Sequence, residues 1–98
     1  MTLVQDYLNK TAHYKKLYGE KTLVLMQVGA FYEVYGLKET KTGIISGSEI
    51  EDFSVSCELS ISDKKICVGK RNVLMSGFRD YMLDKYLKKL QSFGYTAV

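Results

Sequence analysis

Residues 28–36 read VGAFYEVYG, which sets Phe31, Tyr32 and Glu33 between Gly29 and Gly36. A buried strand has little use for Glu33, and a solvated strand has little use for Phe31, Tyr32 and Tyr35 together. In extended backbone, side chains alternate, so Phe31 and Glu33 share one face and Tyr32 takes the other. Gly29, with no side chain, lets something approach the backbone closely. The result is a protruding ring with a carboxylate beside it. Such a pair has a use on a DNA duplex. An aromatic wedge can unstack a base step at a cost of about a few kcal/mol, and less where pairing is already defective. The carboxylate repels phosphates and can bond a displaced base edge, so it adds discrimination more than affinity. Ionised, it accepts from a thymine N3–H. A purine N7 is only an acceptor, so there Glu33 is expected to carry a proton. A Glu33→Gln variant separates these cases from plain repulsion of matched DNA.

Affinity would then come from elsewhere. Lys64, Lys65, Lys70 and Arg71 fall within eight residues with no acid among them. They are candidate contacts to the DNA backbone. A solvated hairpin would show the same pattern. The net charge of +3 permits nucleic-acid binding without demanding it.

The remaining residue types point away from other classes. No apolar run approaches the roughly 20 residues of a membrane span. Asp6, Asn9 and Lys10 break any signal-peptide pattern, so an intracellular protein is expected. Cys57 and Cys67 lack metal-ligand spacing and read as two half-buried thiols in a reducing compartment. The single histidine, His13, reads as a helix-surface residue. There is no phosphate-binding GxxxxGK[ST] loop, no GxGxxG and no serine with a plausible triad partner. Catalysis and a resident cofactor are therefore not expected in these residues, and the lack of a carboxylate cluster argues against a small nuclease.

The elements that would position the ring follow from periodicity. Leu3, Tyr7, Thr11, Tyr14 and Tyr18 form a helical stripe from about Leu3 to Tyr18, stopped by Gly19. The run TLVLMQV, Thr22 to Val28, has the pattern of a central strand buried on both faces. FYE continues it or opens the next extended piece. KETKTGIISG, Lys38 to Gly47, reads as a hairpin or loop. Ser48 and Glu51 fit a capping box for a short helix with Ile50 and Phe53 inward. ELSIS and KICVGK read as two strands joined at Ser62-Asp63-Lys64, with Gly69 ending the second. Phe78, Met82, Tyr86, Leu87, Leu90 and Phe93 stripe a last helix from about Arg79 to Phe93. Asp80 and Asp84 lie early in it, Lys88 and Lys89 late, and Gly94 stops it. The final GYTAV reads as the start of a strand. The 98 residues make one domain of α+β (mixed α/β) class, a small mixed sheet flanked by an N-terminal and a C-terminal helix.

These motifs also carry a resemblance. GAFYEVY resembles the G-x-F-Y-E motif of the MutS family of DNA mismatch-repair proteins, in their N-terminal mismatch-recognition domain (domain I). QDYLNKTAHY is similar to the first helix of that domain, and LVLMQVGAFYE to its first strand and wedge. CELSISDKK resembles the L-x-I-x-L-T-x-R strand. MSGFRDYMLDKYLKKLQSFGYTAV resembles M-A-G-I-P-Y-H-A-x-x-x-Y-L-x-x-L-x-x-x-G-Y-x-V-A. The resemblance implies that Phe31 stacks on a mispaired base and Glu33 bonds it. It places Met75, with Ser76 and Gly77, near the DNA. It implies a double-stranded DNA partner with a mispair or small loop. It also implies a longer, dimeric parent whose ATP and magnesium chemistry lies outside these residues. Two departures stand out. Arg79 and Tyr81 replace the proline and histidine of the family pattern, and Lys38–Gly47 reads as an insertion. Arg79 thereby becomes a further candidate phosphate contact. The departures suggest a divergent branch, viral or organellar.

Two other expectations stand beside this one. Phe31 could be an ordinary core residue. Alternatively Phe31, Tyr32 and Tyr35 could form an aromatic patch for a protein partner, whose binding would resist salt where DNA binding would not.

Overall fold

The computed structural model describes residues 2–98; the side chains of Thr2, Lys65, Ile66 and Val68 lie outside the described set. Helix α1 spans Thr2–Tyr18. It buries Val4, Tyr7 and Thr11, which recur at three and four residues. Gly19 ends it with φ 101°, and its N–H donates to the Lys15 carbonyl at 2.8 Å. The expected Leu3–Tyr18 helix is therefore present, although Tyr18 is exposed rather than inward.

The chain continues through β1 (Thr22–Leu23), β2 (Met26–Val28), β3 (Phe31–Glu39), β4 (Ile45–Ser46), α2 (Ile50–Cys57), β5 (Ser62–Val68) and β6 (Arg71–Arg79). A 3-10 turn, Asp80–Met82, leads into α3 (Leu83–Ser92), and β7 (Thr96–Ala97) closes the described chain. Five strands form an antiparallel sheet in the order β2-β3-β6-β5, with β4 on β3. β1 and β7 form a separate parallel pair. The α+β class stands, with parallel pairing confined to this small second sheet.

The central strand is β3, not Thr22–Val28. β6 pairs with β3 along all nine of its residues, while β2 and β4 share its other edge. The apolar run TLVLMQV instead divides between the two sheets. Leu23 and Val24 are buried beside β7, where the Leu25 N–H reaches the Val98 carbonyl at 3.0 Å, and Met26 then opens the edge strand β2. Two short strands buried by different sheets leave the same continuous apolar signature as one long strand.

Three further expectations change. Ser62, Asp63 and Lys64 lie inside β5, with a register irregularity between Asp63 and Cys67. Ser62 and Asp63 pair with Met75 and Leu74, and the irregularity after Asp63 is taken up inside the strand, so no turn is needed there. Ser48 and Glu51 form no capping box, because the Ser48 hydroxyl donates to the Tyr35 carbonyl and Glu49 takes the N-cap position. The last helix starts later than expected. Phe78 and Arg79 belong to β6, and Phe93 is exposed. The Lys38–Gly47 stretch is a hairpin, closed by Glu39 N–H to Ile44 carbonyl at 2.9 Å.

The core lies on both faces of β3. Tyr35 packs edge-on against Tyr7 of α1, with centroids 5.4 Å apart. Tyr32 and its cross-strand partner Phe78 lean the other way. There Phe78 meets Phe53 of α2 and Tyr86 of α3. Tyr7, Leu23, Val34, Ile50, Phe53 and Leu90 are almost fully buried around these contacts. Gly36 permits the approach of α2, since a Cβ there would stand 2.6 Å from the Ile50 methyl.

Candidate nucleic-acid interface

The β2–β3 hairpin turns on two residues, Gly29 and Ala30, between the paired Val28 and Phe31. Gly29 has φ 58°, the positive value a tight hairpin needs at its first turn position. A Cβ on Gly29 would meet nothing within 4 Å. Its role here is the turn rather than close approach. The Asp80 N–H donates to the Ala30 carbonyl at 2.8 Å and ties the turn to the end of β6.

Phe31 leaves this turn 41% exposed. It is not a core residue. Its cross-strand partner is Arg79, whose guanidinium carbon lies 5.1 Å from the ring centroid. One ring face is thus occupied by a cation. Glu33 follows on the same face, opposite Gly77, and Tyr35 lies opposite Met75. A Cβ on Gly77 would stand 2.5 Å from the Tyr32 carbonyl oxygen and 3.3 Å from the Glu33 Cα. Only glycine lets β6 pass Glu33 at this distance. Phe31, Glu33, Ser62, Met75 and Gly77 line an open cavity of about 380 Å³.

The structure therefore gathers Phe31, Glu33 and Arg79 toward one end of the sheet, with Met75 at the midpoint of β6 lining the same cavity as Phe31 and Glu33. It places Lys70 and Arg71 at the other end. Arg71 pairs with Glu39 and Arg79 with Phe31, eight residues apart along β6, a separation of roughly 26 Å at strand rise. Lys64 is exposed on β5 between them. The Lys65 side chain falls outside the described set. Tyr81, on the turn just after Arg79, is 76% exposed.

The three aromatics of the motif form no single patch. Phe31 is exposed, Tyr32 lies on the opposite face and Tyr35 is 3% exposed. What the residue pattern did not disclose is that the Tyr35 hydroxyl donates to Glu33 Oε1. The only signal was the two-residue spacing, which puts both on one face. Burial pushes the Tyr35 phenol's ionisation well above its ordinary value, and the hydrogen bond and charge of Glu33 add to the shift.

Cys57 is buried and Cys67 exposed, rather than both half-buried, and both are free thiols. Burial pushes the Cys57 thiol up. His13 is exposed, as expected of a helix-surface residue. Among the described residues, no group of three His, Cys, Asp or Glu side chains could hold a metal ion. None of the described helices is long and apolar enough to cross a membrane.

No protein-family model matches the chain. Over 98 residues it is 33% identical to a putative DNA mismatch repair protein, a MutS homologue of Acanthamoeba polyphaga mimivirus. The match covers 99% of this chain and 8% of that relative. The similarity runs along nearly the whole of this chain, which spans only about a twelfth of the length of the relative it matches.

Proposed function

We propose that this chain recognises mispaired or looped double-stranded DNA, as the N-terminal mismatch-recognition domain of a longer MutS-like protein. One observation carries the reading: Phe31 stands exposed at a hairpin end, with Glu33 beside it on the same face above an open cavity. A core packing role explains neither the exposure nor the carboxylate. The similarity to a mismatch-repair protein supports the same conclusion.

In this reading Phe31 enters the base step at the mispair. The unstacking cost is lowest there, since pairing is already weakened. Glu33 bonds the displaced base edge and disfavours ordinary duplex by repelling its phosphates. Met75 lines the floor beside them. Arg79 backs the ring and reaches the phosphates, and Lys64, Lys65, Lys70 and Arg71 add sequence-independent attraction. The chain itself performs no reaction. ATP and magnesium chemistry and dimerisation belong to other parts of the parent, which acts wherever the DNA is held.

The test is a nitrogen–proton NMR titration of the chain at low salt, with a short duplex holding one G·T mispair and with its matched control. Shifts centred on residues 29–34, larger with the mispair, are expected. Equal shifts with both duplexes, or shifts confined to residues 64–71, would show that this chain has no mismatch sense of its own.

A further inference from the structure

Tyr35 raises a question that packing alone does not answer. Its ring is fixed by the edge contact to Tyr7, 5.4 Å away. Tyr7 is itself fully buried, and its hydroxyl donates to the Val24 carbonyl at 2.8 Å. The Tyr35 carbonyl is held by the Ser48 hydroxyl. A phenylalanine would fill this space equally well. The added hydroxyl does one thing among the described contacts: it donates to Glu33 Oε1.

Glu33 needs such a partner. A glutamate on a half-open strand has three side-chain torsions, and freezing them on binding a base would oppose recognition. A donor anchored in the core fixes the carboxylate before DNA arrives. It also distinguishes the two oxygens. Oε1 is engaged by Tyr35, which leaves Oε2 for the cavity lined by Phe31, Met75 and Gly77. Oε2 is then the oxygen that accepts from a thymine N3–H or holds the proton offered to a purine N7.

We propose that Tyr35 is a positioning residue: its hydroxyl holds the Glu33 carboxylate in the orientation that meets a displaced base. The proposal rests on the mismatch-recognition reading of Phe31 and Glu33. It assigns to Tyr35 a part in specificity and none in general DNA affinity.

The test compares the wild-type chain with Tyr35→Phe, which keeps the ring against Tyr7. The first readout needs no DNA. Three-bond couplings across the Glu33 Cα–Cβ bond should report one rotamer in the wild type and averaging in Tyr35→Phe. The second readout is binding to the G·T duplex and its matched control. The ratio of the two affinities should fall about three- to tenfold, as for the loss of one ordinary hydrogen bond, with affinity for matched duplex unchanged. The third is the same substitution in a Glu33→Ala background, where it should have no further effect on the ratio. A single Glu33 rotamer in Tyr35→Phe, an unchanged ratio, or a full effect in the Glu33→Ala background would each overturn the proposal. A wild-type chain with no preference for the mispair would overturn the recognition reading itself. The couplings would still decide whether Tyr35 fixes Glu33.

Discussion

Arg79 and Phe31 face each other across β6 and β3, and the Arg79 guanidinium lies 5.1 Å from the Phe31 ring centroid. An exposed contact of this kind contributes about 0.5–1 kcal/mol. It also occupies one face of the ring and leaves the other for a base. Arg79 therefore has two separable effects, on ring order and on phosphate attraction. Arg79→Ala should weaken mispair binding by roughly two- to fivefold through the ring alone. It should also reduce the slope of log affinity against log salt by about 0.9. Arg79→Lys should restore the slope. It should recover less of the ring effect, because an ammonium lacks the planar surface that lies over the ring. Binding measured over a salt series checks both, and an Arg79→Ala chain with unchanged slope would remove Arg79 from the DNA.

Phe31→Ala should abolish the preference for mispaired over matched duplex. Base–aromatic stacking contributes about 1–3 kcal/mol by alanine substitution. Mispair affinity should therefore fall somewhere between about fivefold and 150-fold, while matched affinity barely moves. Because Phe31 is 41% exposed, its removal should cost no more than about 1 kcal/mol of stability, the lost Arg79 contact included. A large loss of melting temperature would instead mark Phe31 as a packing residue.

Gly77→Ala should behave in the opposite way. The new methyl would lie 2.5 Å from the backbone oxygen of Tyr32, which cannot rotate aside as a side chain can. The β3–β6 ladder must open locally beside Glu33. The expected cost is about 1–3 kcal/mol, or a melting temperature lower by at least about 4 °C in a domain of this size. Amide exchange at residues 32–34 should accelerate in parallel. Thermal melts of this variant and of Phe31→Ala, side by side, separate framework from wedge.

The sequence made some of this legible because local patterns carried it. The N-terminal helical stripe, the Tyr86, Leu87 and Leu90 part of the last one, the Gly19 and Gly94 stops, and the same-face placement of Phe31 and Glu33 all follow from spacing within one element. The misread parts depend on partners far along the chain. Thr22–Val28 is split by pairing with β7, more than 70 residues away. Ser48 is drawn from its capping role by the Tyr35 carbonyl. The distance between Arg71 and Phe31 is a matter of strand register, which no run of like charges reveals. The Tyr35 hydroxyl bond to Glu33 is the intermediate case, since the spacing permits it but only the buried ring position commits it.

Glu58 sits just past α2 with φ 55°, the single non-glycine residue with positive φ among those described. Its N–H meets the Val55 carbonyl at 3.4 Å, and the Leu59 N–H meets the Ser54 carbonyl at 2.9 Å. This is the pair of bonds that usually ends in glycine. A left-handed conformation costs a side-chain-bearing residue about 1–2 kcal/mol. Glycine avoids that cost but gains freedom in the unfolded chain. Glu58→Gly should therefore stabilise the chain by about 0.5–1 kcal/mol, and Glu58→Ala should not. Denaturant melts of both variants check this, and DNA binding should not change.

Lys70 and Arg71 lie roughly 26 Å along the sheet from Phe31 at strand rise. Consecutive bases along one strand are about 3.4 Å apart. A duplex seated on Phe31 must then extend about eight base pairs past the mispair to reach them. Replacing both with glutamine should lower the salt slope by about 1.8 on a duplex with a longer arm. On a duplex with an arm of about four base pairs toward Lys70 and Arg71 the same replacement should have no effect, since the charges no longer meet phosphate. The preference for the mispair should survive in both cases, because these residues read charge and not base identity. Equal loss on long and short arms would mean that the basic turn does not lie along the duplex. The attraction would then have to come from the Phe31 end, with Arg79 its first candidate.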